Sequence, residues 1–406
     1  MNRILLSVTL LCCICLFSKA QNVAFNPRND STLFHILSNH DSLIDKVINN
    51  PSKYNFQLIY TRINRNSNKI NISTFSINEG NQYYNPASLI KFPLALVALE
   101  KMTSLKDSGI SILDSLVLNT CSCDYGTNKY VSNHKNPTLL QFLREMMIMS
   151  NNNAYNLFFD FIGRDVINTR MKLMGIENIQ MKNRFTSGCS EEDNQISGGL
   201  RFKNTKSYNS FLIPCLKSTR HWSIDSSKYP TILESQIATK KTIINNRKNN
   251  SENNYVSLMQ AHKLMINLMI PSANLFQNNF IIDSNYKNEF IKALGSYPRE
   301  LENSEYDTAH LADYYYKFFI DPSIMQTKEN KIRVYNKVGL ASGFVSDVSY
   351  FFDSTNNIEY FISGALLSKK AFSNENNYND FGIHLLRKIG GLIYKNELDN
   401  SHVNSK

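Results

Sequence analysis

The chain has 406 residues, 42% hydrophobic and 11% aromatic, which is enough apolar surface for a substantial core and excludes global disorder. Its formal net charge of +10 is spread along the chain without a dense basic block, so nucleic acid is excluded as a partner.

Residues 1–20 read as a processing signal. Arg3 gives the positive start, Ile4 to Phe17 the apolar stretch, and Ser18-Lys19-Ala20 a small-x-small cleavage site before Gln21. That stretch is too short to span a bilayer comfortably, so no stable membrane span is expected and the mature chain, residues 21–406, is expected in the periplasm or secreted. Cys12, Cys13 and Cys15 fall inside it. Cys121, Cys123, Cys189 and Cys215 remain, an even set that permits two disulfides with the pairing open. Cys121-Ser122-Cys123 has no second Cys/His pair at matching spacing, so no metal and no cofactor are expected.

In chain order, Leu33, Ile36, Leu37, Leu43, Ile44, Val47 and Ile48 keep helical spacing over 31–49. Strand-like runs follow at 56–63 and 69–77, joined by a polar turn. An apolar helical run covers 94–102, and further helices are predicted at 139–149, 154–162 and 166–174. Residues 183–254 are rich in Asn, Ser, Lys and Gly with weak periodicity, and read as an insertion or lid. Helical patterns resume at 256–269, 288–294 and 310–319. Strand-like segments at 333–340, 345–353 and 358–366 precede a terminal helix near 381–394. Strands at both ends with helices between predict an antiparallel sheet assembled from both termini around an all-helical lobe.

Three short motifs carry chemistry. Ser88 starts a helix with Lys91 one turn later on the same face, a nucleophile beside a base, and the helix start offers unpaired N–H groups to an oxyanion. The same four-residue pattern at Ser132/Lys135 and Ser284/Lys287 lacks the context of the first. Ser150-Asn151-Asn152 lies between two helical runs, and Lys337-Val338-Gly339 lies inside a strand. Taken singly, each has a plain structural reading as a helix cap, a turn or a surface lysine.

The order Ser-x-x-Lys, Ser-x-Asn, Lys-x-Gly resembles the penicillin-binding protein and serine β-lactamase superfamily. With the flanks Tyr84-Asn85-Pro86-Ala87 and Asn153-Ala154-Tyr155-Asn156, the chain is similar to class A β-lactamase-like serine hydrolases of the Bacteroidetes type. The resemblance covers roughly residues 31–180 and 255–395 and implies an α/β/α sandwich. It implies that Ser88 is acylated with Lys91 as base, that Ser150 relays a proton, and that Lys337 attracts a substrate carboxylate and tunes Ser150. It also implies that Asn152, Gly339, Leu340 and Ser342 bind substrate, with the Leu340 N–H as second oxyanion donor and Ser342 compensating for Val338, which stands where the family usually has a hydroxyl. A β-lactam or a cell-wall-derived peptide is the implied small-molecule partner of a monomer. Hydrolysis of peptidoglycan-type peptides or esters, or β-lactam binding without turnover, remain alternatives. No Glu-x-x-Leu-Asn run supplies a deacylating base, and Glu192 or Glu191, in a polar loop, stand as candidates for it; slow deacylation is the expectation.

Overall fold

The computed structural model describes residues 25, 28, 31–66, 69–78, 83–123, 126–185, 188–204, 210–224, 237–239, 242–244, 253–302, 306–325, 332–368 and 378–404. The expected leader, residues 1–20, lies outside them.

Two helices, α1 (Thr32–Leu37) and α2 (Ser42–Ile48), occupy the first helical stretch. They are separate because Ser38 turns extended and Asp41 caps a new helix, its carboxylate accepting from the Leu43 N–H at 2.8 Å. β1 (Gln57–Asn66) and β2 (Lys69–Ile77) pair antiparallel. The 3₁₀ turn Ala87–Ile90 runs directly into α3 (Lys91–Ser104). Then come β3 (Ser115–Asn119), α4 (Thr127–Asn133), α5 (Leu139–Ile148), α6 (Asn152–Ile162) and α7 (Arg164–Leu173). β4 (Ile179–Gln180), α8 (Glu191–Asn194), β5 (Gly199–Lys203), β6 (Ser210–Ile213), β7 (Ile237–Thr239), β8 (Thr242–Ile244) and β9 (Tyr255–Val256) lead to α9 (Leu258–Met269) and α10 (Ser284–Gly295). β10 (Ile332–Ala341), β11 (Phe344–Asp353), β12 (Ile358–Leu367) and α11 (Tyr378–Asn404) close the chain.

The main sheet runs β10-β11-β12-β1-β2, antiparallel throughout, so strands from both ends of the chain do build one sheet. Alternation along each strand feeds two cores. Leu58 and Tyr60 pack with Leu37, Val47 and Leu385 from α1, α2 and α11. Ile59, Val348 and Phe361 pack with the helical lobe, including Phe92, Phe158 and Met265. The result is the expected α/β/α sandwich, with buried helices covering both faces.

The helix expected at 310–319 is absent. Those residues form successive single turns, such as Leu311 N–H to Thr308 C=O at 3.1 Å and Tyr315 N–H to Ala312 C=O at 3.0 Å. Tertiary side chains capture the backbone groups a helix would need. Asp347 accepts from the Phe318 N–H at 2.8 Å, and Asn336 donates to the Tyr316 C=O at 2.9 Å.

Within 183–254, β5 pairs with β3 from the helical lobe and β6 pairs with β5, and Leu200 and Phe202 enter its core. Two disulfides tie this stretch down, Cys121–Cys215 and Cys123–Cys189. They close loops of 94 and 66 residues, the length at which cross-linking restricts an unfolded chain strongly.

A buried histidine joins α9 to the sheet. His262 Nε2 lies 2.8 Å from Thr61 Oγ1 and Nδ1 2.7 Å from Ser363 Oγ. Burial, and then the charge of Lys263, pushes its imidazole down to about 3, so the folded state holds it neutral. The unfolded chain binds that proton below the ordinary value of about 6.5, so the contribution is complete above about 6.5 and is lost as pH falls toward about 3. His262→Gln should therefore flatten the fall in urea midpoint between about pH 7 and pH 4. Equal slopes in both proteins would refute the neutral buried imidazole.

Candidate active site

Ser88 sits half-buried in the 3₁₀ turn that opens α3. The turn is entered through Ala87, at φ 45°, a left-handed conformation that costs a non-glycine residue about 1–2 kcal/mol. Asn85 holds it by accepting from the Ala87 N–H at 2.9 Å, and the Leu89 N–H donates to Pro86 C=O at 2.9 Å. The Ser88 N–H has no partner among the described residues and remains a donor. One turn on, fully buried Lys91 brings Nζ to 2.9 Å from Ser88 Oγ.

The α5–α6 turn supplies the second group. Asn151, the middle letter of its motif, caps α6 by accepting from the Ala154 N–H at 2.8 Å. Ser150 before it takes φ 57°, and this strained turn is held from both sides. Its carbonyl accepts from Lys91 Nζ, and its hydroxyl lies 3.4 Å from Lys91 Nζ and 2.8 Å from Lys337 Nζ. Asn152 Oδ1 accepts from Lys91 Nζ at 2.7 Å.

β10 is the edge strand that closes the cleft. Ser342 (φ 54°) and Gly343 (φ 81°) form the two-residue turn to β11, with Ala341 opposite Phe344 as the flanking bonded pair. Alternation from that pair turns the Leu340 N–H outward, away from β11 and toward the nucleophile turn, where it can serve as the second oxyanion donor. Gly339 matters for what it lacks. A Cβ there would stand 2.1 Å from the Pro86 carbonyl oxygen and 2.6 Å from Ser346 Oγ, so only glycine lets β10 press onto the nucleophile turn. Ser342 is exposed at the hairpin tip rather than on the strand, its backbone committed to the turn. Val338 points into the core behind the sheet, so the middle position offers the cleft no polar group.

Burial governs the electrostatics. Desolvation, and then the charge of Lys337, holds the Lys91 amine well below lysine's ordinary 10.5. Lys337 is pushed down to about 7 by burial and by Lys317, against the pull of Asp347. Lys317, also buried, is lowered to about 7 and bonds Leu294 C=O at 3.0 Å, Val334 C=O at 2.6 Å and Asn336 Oδ1 at 2.9 Å. Asn336 passes that contact to Asp347, 2.9 Å away, whose carboxyl burial raises to about 6. Burial and the Lys337 charge thus both favour the neutral form of the amine beside Ser88.

Ser88, Lys91, Ser150, Asn152 and Lys337 therefore meet in one constellation. Glu191 and Glu192 do not join it. A capping box between Ser190 and Asp193 fixes them on the single turn α8, where both are exposed and Glu191 accepts from Arg164 at 2.8 Å. The loop residue that faces Lys91 is Phe185, whose ring lies 5.3 Å from Nζ. Sequence reasoning missed Phe185, Lys317 and Asp347. A charged residue in the middle of the apolar run Phe344–Asp353 was the available signal for Asp347, and no local pattern marks Phe185.

The family described as the beta-lactamase enzyme family matches residues 41–396. Among solved structures, a class A β-lactamase from Bacteroides cellulosilyticus is similar at 14% identity and TM-score 0.46, covering 87% of this chain and 96% of that one. The chromosome-encoded β-lactamase of Vibrio parahaemolyticus is similar at 9% identity and TM-score 0.48, covering 87% and 97%. A variant of the last common ancestor of Gram-negative class A β-lactamases is similar at 10% identity and TM-score 0.49, covering 89% and 100%. No curated protein matches the chain.

The Lys337 charge is one cause of the low Lys91 value, which gives a signed test. Covalent labelling of Ser88 should slow as pH falls and Lys91 takes a proton. Lys337→Met removes the neighbouring charge, so Lys91 should hold its proton to higher pH and the acid limb of the labelling rate should move upward. An unmoved or lowered limb would show that the two amines are not coupled.

Proposed function

The chain belongs to the beta-lactamase enzyme family, and from that premise we propose an exported serine hydrolase that opens β-lactams through an acyl-enzyme on Ser88 and releases it slowly. The observation that carries the reading is the 2.9 Å approach of a buried, low-pKa lysine amine to the Ser88 hydroxyl.

In the proposed reaction neutral Lys91 takes the Ser88 proton while Oγ attacks the lactam carbonyl. Oxygen charge develops between the N–H groups of Ser88 and Leu340, donors fixed before the substrate arrives. Ser150 gives its hydroxyl proton to the ring nitrogen as the C–N bond breaks. Lys91, 3.4 Å away, returns a proton to Ser150, so the proton taken from Ser88 ends on the leaving nitrogen. Lys337, 2.8 Å from the same hydroxyl, favours its deprotonation and offers positive charge to a substrate carboxylate. Asn152 holds Lys91 through Oδ1, with its amide nitrogen left to meet the substrate's acyl-amide chain.

Release is the weak half. Hydrolysing the ester needs an activated water, and the sequence-based carboxylate candidates are exposed on α8, with Glu191 committed to Arg164. Export is supported by the leader-like residues 1–20 and by two disulfides, which persist in oxidising compartments. No helix among the described residues is long and apolar enough to cross a membrane.

Incubation with a fluorescent penicillin, followed by intact-mass spectrometry over time, tests the reading. A single adduct should form quickly, persist, and vanish in Ser88→Ala, while Lys91→Ala should slow its formation by about 10²-fold or more. Adduct formation that survives in Ser88→Ala would refute the nucleophile.

A further inference from the structure

The segment Lys182–Phe185 is fixed against α6 by buried side chains. Tyr155 Oη donates to Asn183 C=O at 3.2 Å, and Asn254 Oδ1 accepts from the N–H groups of Lys182 at 2.7 Å and Asn183 at 2.9 Å. Arg184 forms a buried ion pair with Asp160, whose carboxylate also accepts from the Gly198 N–H at 2.7 Å. Phe185 is held most tightly. The buried Asn156 side chain accepts from its N–H at 2.8 Å and donates to its C=O at 3.0 Å. A two-point clamp on one residue's backbone, from a helix, fixes where its side chain stands. The Tyr155 ring packs on it at 4.4 Å between centroids. What this support presents to the nucleophile's base is an apolar ring, 5.3 Å from Lys91 Nζ.

We infer that Phe185 sets the lifetime of the acyl-enzyme: it is a positioning residue that denies water a place beside Lys91. The inference rests on the acylation of Ser88 proposed above. Clearing the adduct requires a water oxygen to add to the ester carbonyl. The bond from that carbon to Ser88 Oγ then breaks, and the proton lost by water ends on Oγ, so the products are a carboxylic acid and free serine. A base must hold the water and carry that proton. Lys91 Nζ is already engaged by Ser88 Oγ, Ser150 and Asn152, and on the Phe185 side it meets a ring with no lone pair to orient a water. Asp160, one turn beyond Asn156, is committed to Arg184 and Gly198. The site is thus built to form the ester and keep it dry.

The test separates formation of the adduct from its loss. Wild type, Phe185→Leu, Phe185→Ala and Phe185→Glu are labelled with benzylpenicillin, freed of excess, and followed by intact mass. Labelling of Phe185→Leu and Phe185→Ala should stay within about tenfold of wild type, and Phe185→Glu should label more slowly because a carboxylate beside Lys91 favours its charged form. Once labelled, Phe185→Glu should shorten the adduct lifetime by about 10²-fold, because the clamp then holds a carboxylate at the same place. Phe185→Ala, which opens the space without adding a base, should shorten it by about tenfold, and Phe185→Leu should leave it near wild type. Lifetimes within about twofold of wild type in both the Glu and Ala proteins, measured once the adduct has formed, would overturn the role of Phe185 and leave the Ser88 reading standing. Absence of any adduct in wild type would overturn the Ser88 reading and this inference with it.

Discussion

Two buried lysine amines converge on one serine hydroxyl, and the remainder of the site is arranged around that fact. Lys91 and Lys337 both reach Ser150, and both are essentially without solvent. A buried ammonium without a partner is costly enough that the group gives up its proton instead. Asp347, the cross-strand partner of Val338, lies on the opposite face of the sheet from Lys337 and is shared with Lys317 through Asn336. Burial first, and then the Lys337 charge, favour a neutral amine at Ser88, where serine alone would be a weak nucleophile.

Holding three chain segments this close requires backbone concessions. Ala87 and Ser150 both adopt left-handed φ values, and Gly339 is squeezed against the Pro86 carbonyl. Each is tolerated because neighbours over-determine it: Asn85 on Ala87, the two lysines on Ser150, the β10–β11 ladder on Gly339. The same logic explains Gly390 in the C-terminal Lys388-Ile389-Gly390. A Cβ there would meet the Phe319 carbonyl oxygen at 2.0 Å, so that second Lys-x-Gly is a packing feature of α11, with Lys388 paired to Asp41.

Much of this was legible in the chain because it is written locally. Strand-like runs at both ends of the chain predict one sheet, and the order of the three motifs, through the family it resembles, implies that Ser88, Lys91, Ser150, Asn152 and Lys337 share a site. Features set by distant partners were not legible. The split of the first helix turns on the Asp41 cap, and the loss of helix at 310–319 on Asp347 and Asn336, which lie beyond it in the sequence. Glu191 and Glu192 looked like bases because charge was all the sequence offered, whereas a capping box and Arg164 decide where they stand. Phe185 carries no motif, and its position is imposed by Asn156 from another element.

The proposed reaction needs Lys91 neutral beside Ser88, and its protonation can be measured without any substrate by titrating ¹³C-labelled lysine side chains by NMR, with the Lys91 resonance identified by its loss in Lys91→Arg. The Lys91 signal should titrate far below the ordinary lysine value of 10.5. A Lys91 ammonium that keeps its proton up to that value would contradict the proposed reaction.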